Sequence, residues 1–427
     1  MPHDGPHDHV PALNMRPRSR RIGAAAYLDP ALPPRLREVL THGAASVATP
    51  FTGVTTDGTP RAGLFPLRRT GVSLAPVVAA AEAFLAGLSA AERATACFPI
   101  DSDAWRSWSN IHPFLMRHGV SLRDLTDPQR DAALALVRAS LSASGFATAR
   151  DVMRLNEHIR ELTGRDEEYG EWYYWLSVFG TPSEGQPQGQ PQGQSQGQSQ
   201  GQSQGQPWGW QIDGHHLIVN CFVLGDQIVL TPQFLGSEPV LAQSGQYAGT
   251  RVFAAEEAKG FALMDALSPE QRTAAIIGQD LPIEIFAAAY RDNLTLSYQG
   301  IGYAQLSEAQ QALLRDLIGV YVGRIRPGHA EIRMEEVIAH LPETWFAWIG
   351  GTDPASPFYY RIHSPVILIE FDHQRGIALD NDEPSRNHIH TVVRTPNGND
   401  YGRDLLAQHY AQHDHAHPDS PHRRGLE

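Results

Sequence analysis

The sequence predicts an α+β protein, with a helical N-terminal part followed by antiparallel β hairpins that carry the candidate site. Three observations support this. Residues 77–88 (VVAAAEAFLAGL) place apolar side chains at helical spacing. Four Ser/Thr-x-x-Glu/Gln signatures, each preceded by Leu, recur along the chain: Ser89 to Glu92, Thr126 to Gln129, Ser268 to Gln271 and Ser307 to Gln310. Each marks a helix start, because the hydroxyl and the Glu or Gln side chain satisfy free backbone N–H groups. Finally, Leu217 to Leu224 and Gln227 to Leu230 flank Gly225-Asp226, which reads as a hairpin with a two-residue turn.

In chain order, residues 1–20 carry His3, His7 and His9 among Pro, Gly and Asp, and read as a disordered tail. Residues 21–410 read as one unit, helical over 76–164 and mixed α/β over 165–410. Within it, residues 185–206 are almost pure Gly, Gln, Ser and Pro and cannot bury apolar surface, so they read as a disordered surface loop. The aromatic run Trp172, Tyr173, Tyr174 and Trp175 suits a strand covered on both faces. The stretch from about 254 to 340 reads as mostly helical. Tyr359 to Asp372 and His388 to Arg394 read as two further strands joined by a polar loop, Gln374 to Asn387. The tail from about Gln408, with residues 411–427 as its disordered part, is His-rich (His409, His413, His415, His417, His422). FLAGLSAAERATA and ALMDALSPEQRTAA look alike, either through an internal duplication or because both are helices with the same cap.

Bulk composition narrows the function classes. A formal net charge of −13 over 427 residues argues against nucleic acid as a partner, which needs a basic face. No run of 18 apolar residues exists, so no membrane span is expected. The apolar stretch after the basic residues Arg16, Arg18, Arg20 and Arg21 is too short for a signal-peptide core. Cys97 and Cys221 are the only cysteines, and the expected location is cytoplasmic. No phosphate-binding Gly-rich loop is present, and the Gly-x-Ser-x-Gly spacings, at Ser195, Ser199 and Ser203, fall inside the Gly/Gln/Ser tract rather than between a strand and a helix, so none reads as a nucleophile elbow.

Candidate chemistry gathers at four spots: Gly214-His215-His216, Gly236-Ser237-Glu238-Pro239, Arg361-Ile-His363 through Glu370-Phe-Asp372-His373, and His388-Ile-His390. Side chains two apart on a strand share a face, so His388 and His390 point the same way, roughly 6.5–7 Å apart. Two imidazoles at that spacing can converge on one ion. His363 and His373 also share parity, but in a regular strand they lie roughly 33 Å apart. His215 and His216 face opposite ways, so one of them is expected inside.

The expected centre is a mononuclear site of His388, His390, one of His215 and His216, and Glu238 or His363. It would take a transition metal ion, with Zn, Fe, Cu and Ni left open. An open coordination position would activate water or dioxygen. Arg361 and Arg394 flank the site and could grip an anionic small-molecule substrate, or instead pair with Glu370 or Asp372. Trp208, Trp210, Trp105 and Trp108 could wall a pocket or be plain core.

Three segments, PWGWQIDGHHLIVNCFVLGDQIVLTPQFLGSEP, YYRIHSPVILIEFDHQ and HIHTVVRTPNGNDYG, together resemble a bacterial and fungal family catalogued only as a domain of unknown function. FTGVTTDG, LFPLRRTGVS and DAWRSWSN fit the same family, so the resemblance spans roughly residues 50 to 410. The Gly/Gln insert departs from it. The resemblance implies one family unit and no established activity. From the residues, the expected function is a metal-dependent enzyme acting on a small molecule, leaning to an oxidoreductase. The alternatives are a zinc-dependent hydrolase and a non-catalytic binding protein using the same cleft. The oligomeric state is left open.

Overall fold

The computed structural model describes residues 15–17, 34–110, 118–184 and 205–412. The Gly/Gln-rich segment and both His-rich tails fall almost entirely outside the described residues. His409 is the exception. It is buried in the last helix, so the ordered chain runs further than its composition suggests.

In chain order the elements are α1 (Pro34–Ala48), α2 (Ala75–Gly87), α3 (Ala90–Ala96), β1 (Cys97–Phe98), β2 (Val120–Ser121), α4 (Asp127–Ser140) and α5 (Ala143–Thr163). Then come β3 (Tyr174–Gly180), β4 (Trp208–Gly214), β5 (Leu217–Leu224), β6 (Gln227–Val229) and β7 (Gln233–Ser237). They are followed by α6 (Ala254–Ala266), α7 (Pro269–Ala275), β8 (Ile276–Gly278), β9 (Ile301–Gly302), α8 (Glu308–Val322) and α9 (His329–Ala339). The chain closes with β10 (Trp345–Gly350), β11 (Phe358–His363), β12 (Leu368–Arg375), β13 (Pro384–Arg394) and α10 (Arg403–Gln412). The α+β class therefore holds.

All four capping boxes are present, at Ser89, Thr126, Ser268 and Ser307. The expected hairpin forms with Leu224 opposite Gln227. Four boundaries differ from expectation. The strand expected over His388 to Arg394 begins earlier, at Pro384, and β12 runs on to Arg375, so the expected loop Gln374 to Asn387 is shorter. The helical stretch contains the short strands β1 and β2. Of the aromatic run, Tyr174 and Trp175 lie on a strand, while Trp172 and Tyr173 precede it. Tyr359 to Asp372 is not one strand: the Ser364 hydroxyl accepts the Val366 and Ile367 N–H groups and turns the chain, so β11 and β12 form a hairpin. Pro365 within an otherwise apolar run was the sequence signal for that break.

One sheet of thirteen strands runs β1-β3-β4-β5-β7-β13-β12-β11-β10-β8, with β2 on β3, β6 on β5 and β9 on β10. This order repeats itself. β1 joins β3 in parallel with Cys97 opposite Val178, and β8 joins β10 in parallel with Ile276 opposite Trp348. Val120 faces Leu176 as Ile301 faces Phe346, and Trp210 faces Cys221 as Tyr360 faces Phe371. Val219 faces Gln233 as Ile369 faces Val393. The helices repeat too: Gln129 donates to the Gly87 carbonyl and to Glu92, while Gln310 donates to the Ala266 carbonyl and to Gln271. The two similar segments are thus equivalent pieces of two similar halves, joined by the antiparallel pair β7 and β13.

The sheet's two faces differ in character. One carries Trp210, Val219, Cys221, Leu235, Phe371, Tyr360 and Trp348, which pack with helix residues such as Leu263, Leu314 and Tyr321 in the main core. The other carries Gln211, Asn220, His390, Arg394, Glu370, Asp372, Arg361 and His363, all buried under irregular chain rather than helices. Burying these groups is tolerable only when they are paired, so this face is where chemistry would reside.

Because the halves share their capping geometry, Ser89→Ala and Ser268→Ala should each lower stability by about 1 kcal/mol in urea unfolding. A large disparity between the two would show that the halves are not energetically equivalent.

Candidate metal centre

His388 and His390 stand on β13, on the polar face, with the parity expected of them. His216 reaches them from the tight turn between β4 and β5. Its φ is +64°, a left-handed conformation that non-glycine residues adopt sparingly. The expectation that His215 and His216 face opposite ways fails, because both lie in the turn rather than on a strand: their rings stack, and the His216 ring reaches His388 and His390. Room for the rings comes from Gly236, directly opposite His390 on β7. A Cβ at Gly236 would stand 2.8 Å from the His390 ring and 3.0 Å from the His216 ring. The Gly236-Ser237-Glu238 spot thus matters to the site through its glycine.

The three Nε2 atoms converge. His216 to His390 is 3.0 Å, His388 to His390 is 3.0 Å and His216 to His388 is 3.3 Å. Those distances put the nitrogens on a circle of radius about 1.8 Å, against Zn–N bonds of about 2.0–2.1 Å. Three imidazoles so placed would be able to hold one divalent ion between them. All three residues are buried, and they form the one such group of His, Cys and carboxylate ligands among the described residues. The cluster can hold a metal ion.

The remote nitrogens support that reading. His390 Nδ1 lies 2.8 Å from Glu284 Oε1, and His388 Nδ1 lies 2.7 Å from the Arg375 carbonyl oxygen. Both partners accept, so each ring carries its proton on Nδ1 and turns a bare Nε2 inward. Metal-binding imidazoles are oriented in this way. Burial first, and the neighbouring imidazoles second, hold His216 and His388 well below the ordinary imidazole range, so both stay neutral. Burial tends to raise the Glu284 carboxyl, but His390 and the Asn110 amide outweigh it, and the group lies below its ordinary range.

Sequence reasoning missed Glu284. It arrives from the irregular segment between β8 and β9, with no periodicity to flag it. Two sheet residues pin that segment: Glu370 accepts the Phe286 and Ala287 N–H groups, and Arg394 donates to the Ala287 and Ala288 carbonyls.

The remaining expected residues stand elsewhere. His215 stacks on His216 at 3.9 Å between ring centres, and its Nδ1 lies 2.9 Å from Asn156 Oδ1. It supports the ring without joining the cluster. Glu238 turns its carboxylate to the N–H groups of Ile377, Ala378 and Leu379 at 2.9–3.0 Å. Its Oε2 lies 3.8 Å from His388 Nδ1, behind the ring. His363 lies opposite Leu368, four positions along β12 from Asp372, the residue opposite His390. Its ring packs against Tyr298. His373 faces the helical side and meets Glu257. Arg361 donates to Gln299, and Arg394 pairs with Asp292 and Asp400, so neither arginine reaches the cluster. Of the tryptophans, Trp108 comes nearest: it packs on Phe234, which packs on His390. Trp210 donates to Ser140 on the helical side. No helix among the described residues is long and apolar enough to cross a membrane.

Fold and site together define an α+β protein with a buried three-histidine cluster at the junction of two similar halves. The chain belongs to the family described as a protein of unknown function (DUF3500), whose model matches residues 70–191 and 198–403. No curated protein and no solved structure matches the chain.

His390→Ala should abolish stoichiometric metal binding, whereas His363→Ala and His373→Ala should leave it intact. Glu284→Gln should weaken binding about 10- to 100-fold in a competition titration. A second expectation concerns acid stability. Burial first and Arg361 second push His363 down to about 3, against about 6.5 when unfolded. Between these values the unfolded chain takes up a proton that the folded chain refuses, so stability falls as pH falls from about 6.5 towards 3. His363→Gln should flatten that slope in denaturant titrations, and an unchanged slope would refute the assignment.

Proposed function

We propose that this protein is a metal-dependent enzyme that acts on a small molecule at a mononuclear centre held by His216, His388 and His390. The observation that carries this reading is the convergence of three buried Nε2 atoms whose Nδ1 atoms, at His388 and His390, are occupied by acceptors. His216, His388 and His390 would hold the ion, which would supply Lewis-acid or redox chemistry toward water or dioxygen.

The equivalent place in the other half supports a functional rather than a structural role. Asp372 lies opposite His390, and its counterpart Phe222 lies opposite Val229. His216 precedes Val219 by three residues, as Val366 precedes the equivalent Ile369. Phe222, Val229 and Val366 pack together with Phe65, Leu405 and Leu406 in a plain apolar cluster. The other half therefore closes this position with aliphatic and aromatic side chains alone. Burying three imidazoles instead is the costlier choice, since polar groups lose hydration.

Two chemistries fit. A redox metal with dioxygen or a related oxidant is our preferred one, because the buried rings of Phe234 and Trp108 pack one behind the other on His390. Zinc-assisted hydrolysis is the second. Three neutral ligands leave the full dipositive charge to acidify a bound water, as three-histidine zinc sites do. A non-catalytic receptor for carboxylates has less support, since Arg394 is already paired with two carboxylates.

Elemental analysis of protein lacking both His-rich tails and any affinity tag tests the proposal. One equivalent of a transition metal is expected, lost in His216→Val/His388→Val/His390→Val protein that still folds cooperatively. A redox metal would favour oxygen chemistry and zinc would favour hydrolysis. Substoichiometric content of every metal after reconstitution would sink the proposal.

A further inference from the structure

We infer that Arg361 is a substrate-recognition residue that holds a carboxylate group of the molecule on which the metal centre acts. This inference rests on the metal-centre reading above and names its substrate class.

Arg361 differs from the other buried arginines among the described residues. Arg106 and Arg394 pair with Asp292, Arg165 with Glu168, Arg324 with Glu256 and Arg386 with Glu257. Arg361 is 1% exposed, yet its Nε and Nη1 have no hydrogen-bond partner among the described residues. Its one hydrogen bond runs from Nη2 to Gln299 Oε1 at 2.8 Å. A guanidinium stays charged at any pH at which proteins fold, so it cannot silence these N–H groups by losing a proton. Leaving them unmet in the interior is costly unless an acceptor arrives from outside the chain. His363, two residues along on the same face, adds a third buried atom without a partner, its Nδ1.

The sheet explains why these groups are left over. Arg361 lies opposite Glu370, but the Glu370 carboxylate accepts from the Tyr359 hydroxyl and from the Phe286 and Ala287 N–H groups instead. In the other half the equivalent pair is Gln211 opposite Asn220, and there the Gln211 amide donates to Asn220 Oδ1. The position also suits a molecule that reaches the ion. Arg361 stands two strands across from His390 and two residues along, roughly 12 Å between Cα atoms by strand geometry. The segment that touches His390 through Glu284 also lays the Phe286 ring 5.7 Å from the Arg361 guanidinium, so one short stretch of chain borders both groups. Gln299 is exposed, which leaves Arg361 one side chain below the surface. One guanidinium beside a neutral imidazole matches the single charge of a carboxylate better than that of a phosphate ester, about −1.5 to −2.

The test titrates acetate into the full-length chain, as purified and after its metal has been stripped, with chloride holding the ionic strength constant. Binding is read by saturation transfer to the acetate methyl protons in NMR. Acetate should bind the stripped protein, and Arg361→Gln should weaken that binding about tenfold or more. Gln299→Glu, at an exposed position, sets a carboxylate of the chain's own on the guanidinium and should weaken it to a like extent. That second variant keeps the test decisive should the buried Arg361 variant fold poorly. Inorganic phosphate should displace acetate only at higher concentration. Acetate binding that needs the metal and ignores both substitutions would place the carboxylate on the ion, overturning the inference while upholding the centre. No acetate binding, or tighter binding of phosphate, would also overturn the inference and leave the metal content untouched. Arginine-dependent acetate binding by a chain that takes up no metal would keep the carboxylate site and overturn the metal centre.

Discussion

The antiparallel pairing of β7 with β13 is the constraint on which the rest depends. It is the seam between two halves of like topology, and it sets Gly236 opposite His390. Only a residue without a side chain leaves space there for two imidazoles, since a Cβ would press on both rings. The seam also sets the distance that His216 must cross, which explains its left-handed backbone in a turn that Gly or Asn would adopt more readily. Strain of that kind persists where the surroundings hold it, and here Asn156, His215 and the partner histidines surround the ring.

A second layer of organisation comes from buried charge. Glu370 and Arg394 are twin anchors on the sheet's polar face, and both bind backbone groups of residues 286–288. The segment so held delivers Glu284 to His390. Burial raises the Glu370 carboxyl, while the Tyr359 hydroxyl, Arg361 and two backbone N–H groups oppose it. Asp292 sits between Arg106 and Arg394, tying residues 100–110 to the same face. An irregular segment without its own secondary structure needs such anchors, because its backbone groups have no ladder to satisfy them.

The repeat supplies an internal comparison. Where one half has Asp372, His390 and His216, the other contributes Phe222, Val229 and Val366. The strand pairing differs there as well as the side chains: β12 pairs with β13 in one unbroken register from Leu368 to His373, whereas β5 pairs first with β7 and then with β6 across the break at Leu230 to Pro232. A buried polar cluster in one copy and an apolar one in the other is what a fold accommodates when one position has acquired a task beyond packing.

Much of this was legible in the sequence, and the division has a physical reason. Local rules act over a few residues, so the four capping boxes, the Gly225-Asp226 hairpin and the shared face of His388 and His390 could be read directly. Parity failed at His215 and His216, whose rings stack because both lie in a turn rather than on a strand. Choosing His216 over His215 took the +64° φ of a turn, which depends on what packs around it. Whether strands far apart in sequence are neighbours depends on the sheet order, and no local signal carries that. Tertiary structure alone therefore put Gly236 opposite His390 and brought Glu284 in from an aperiodic segment. It also assigned Glu238 to three backbone N–H groups and engaged Arg394 in holding a loop. Sequence by itself determined which histidines could act together, and the pairing of distant strands decided which of them do.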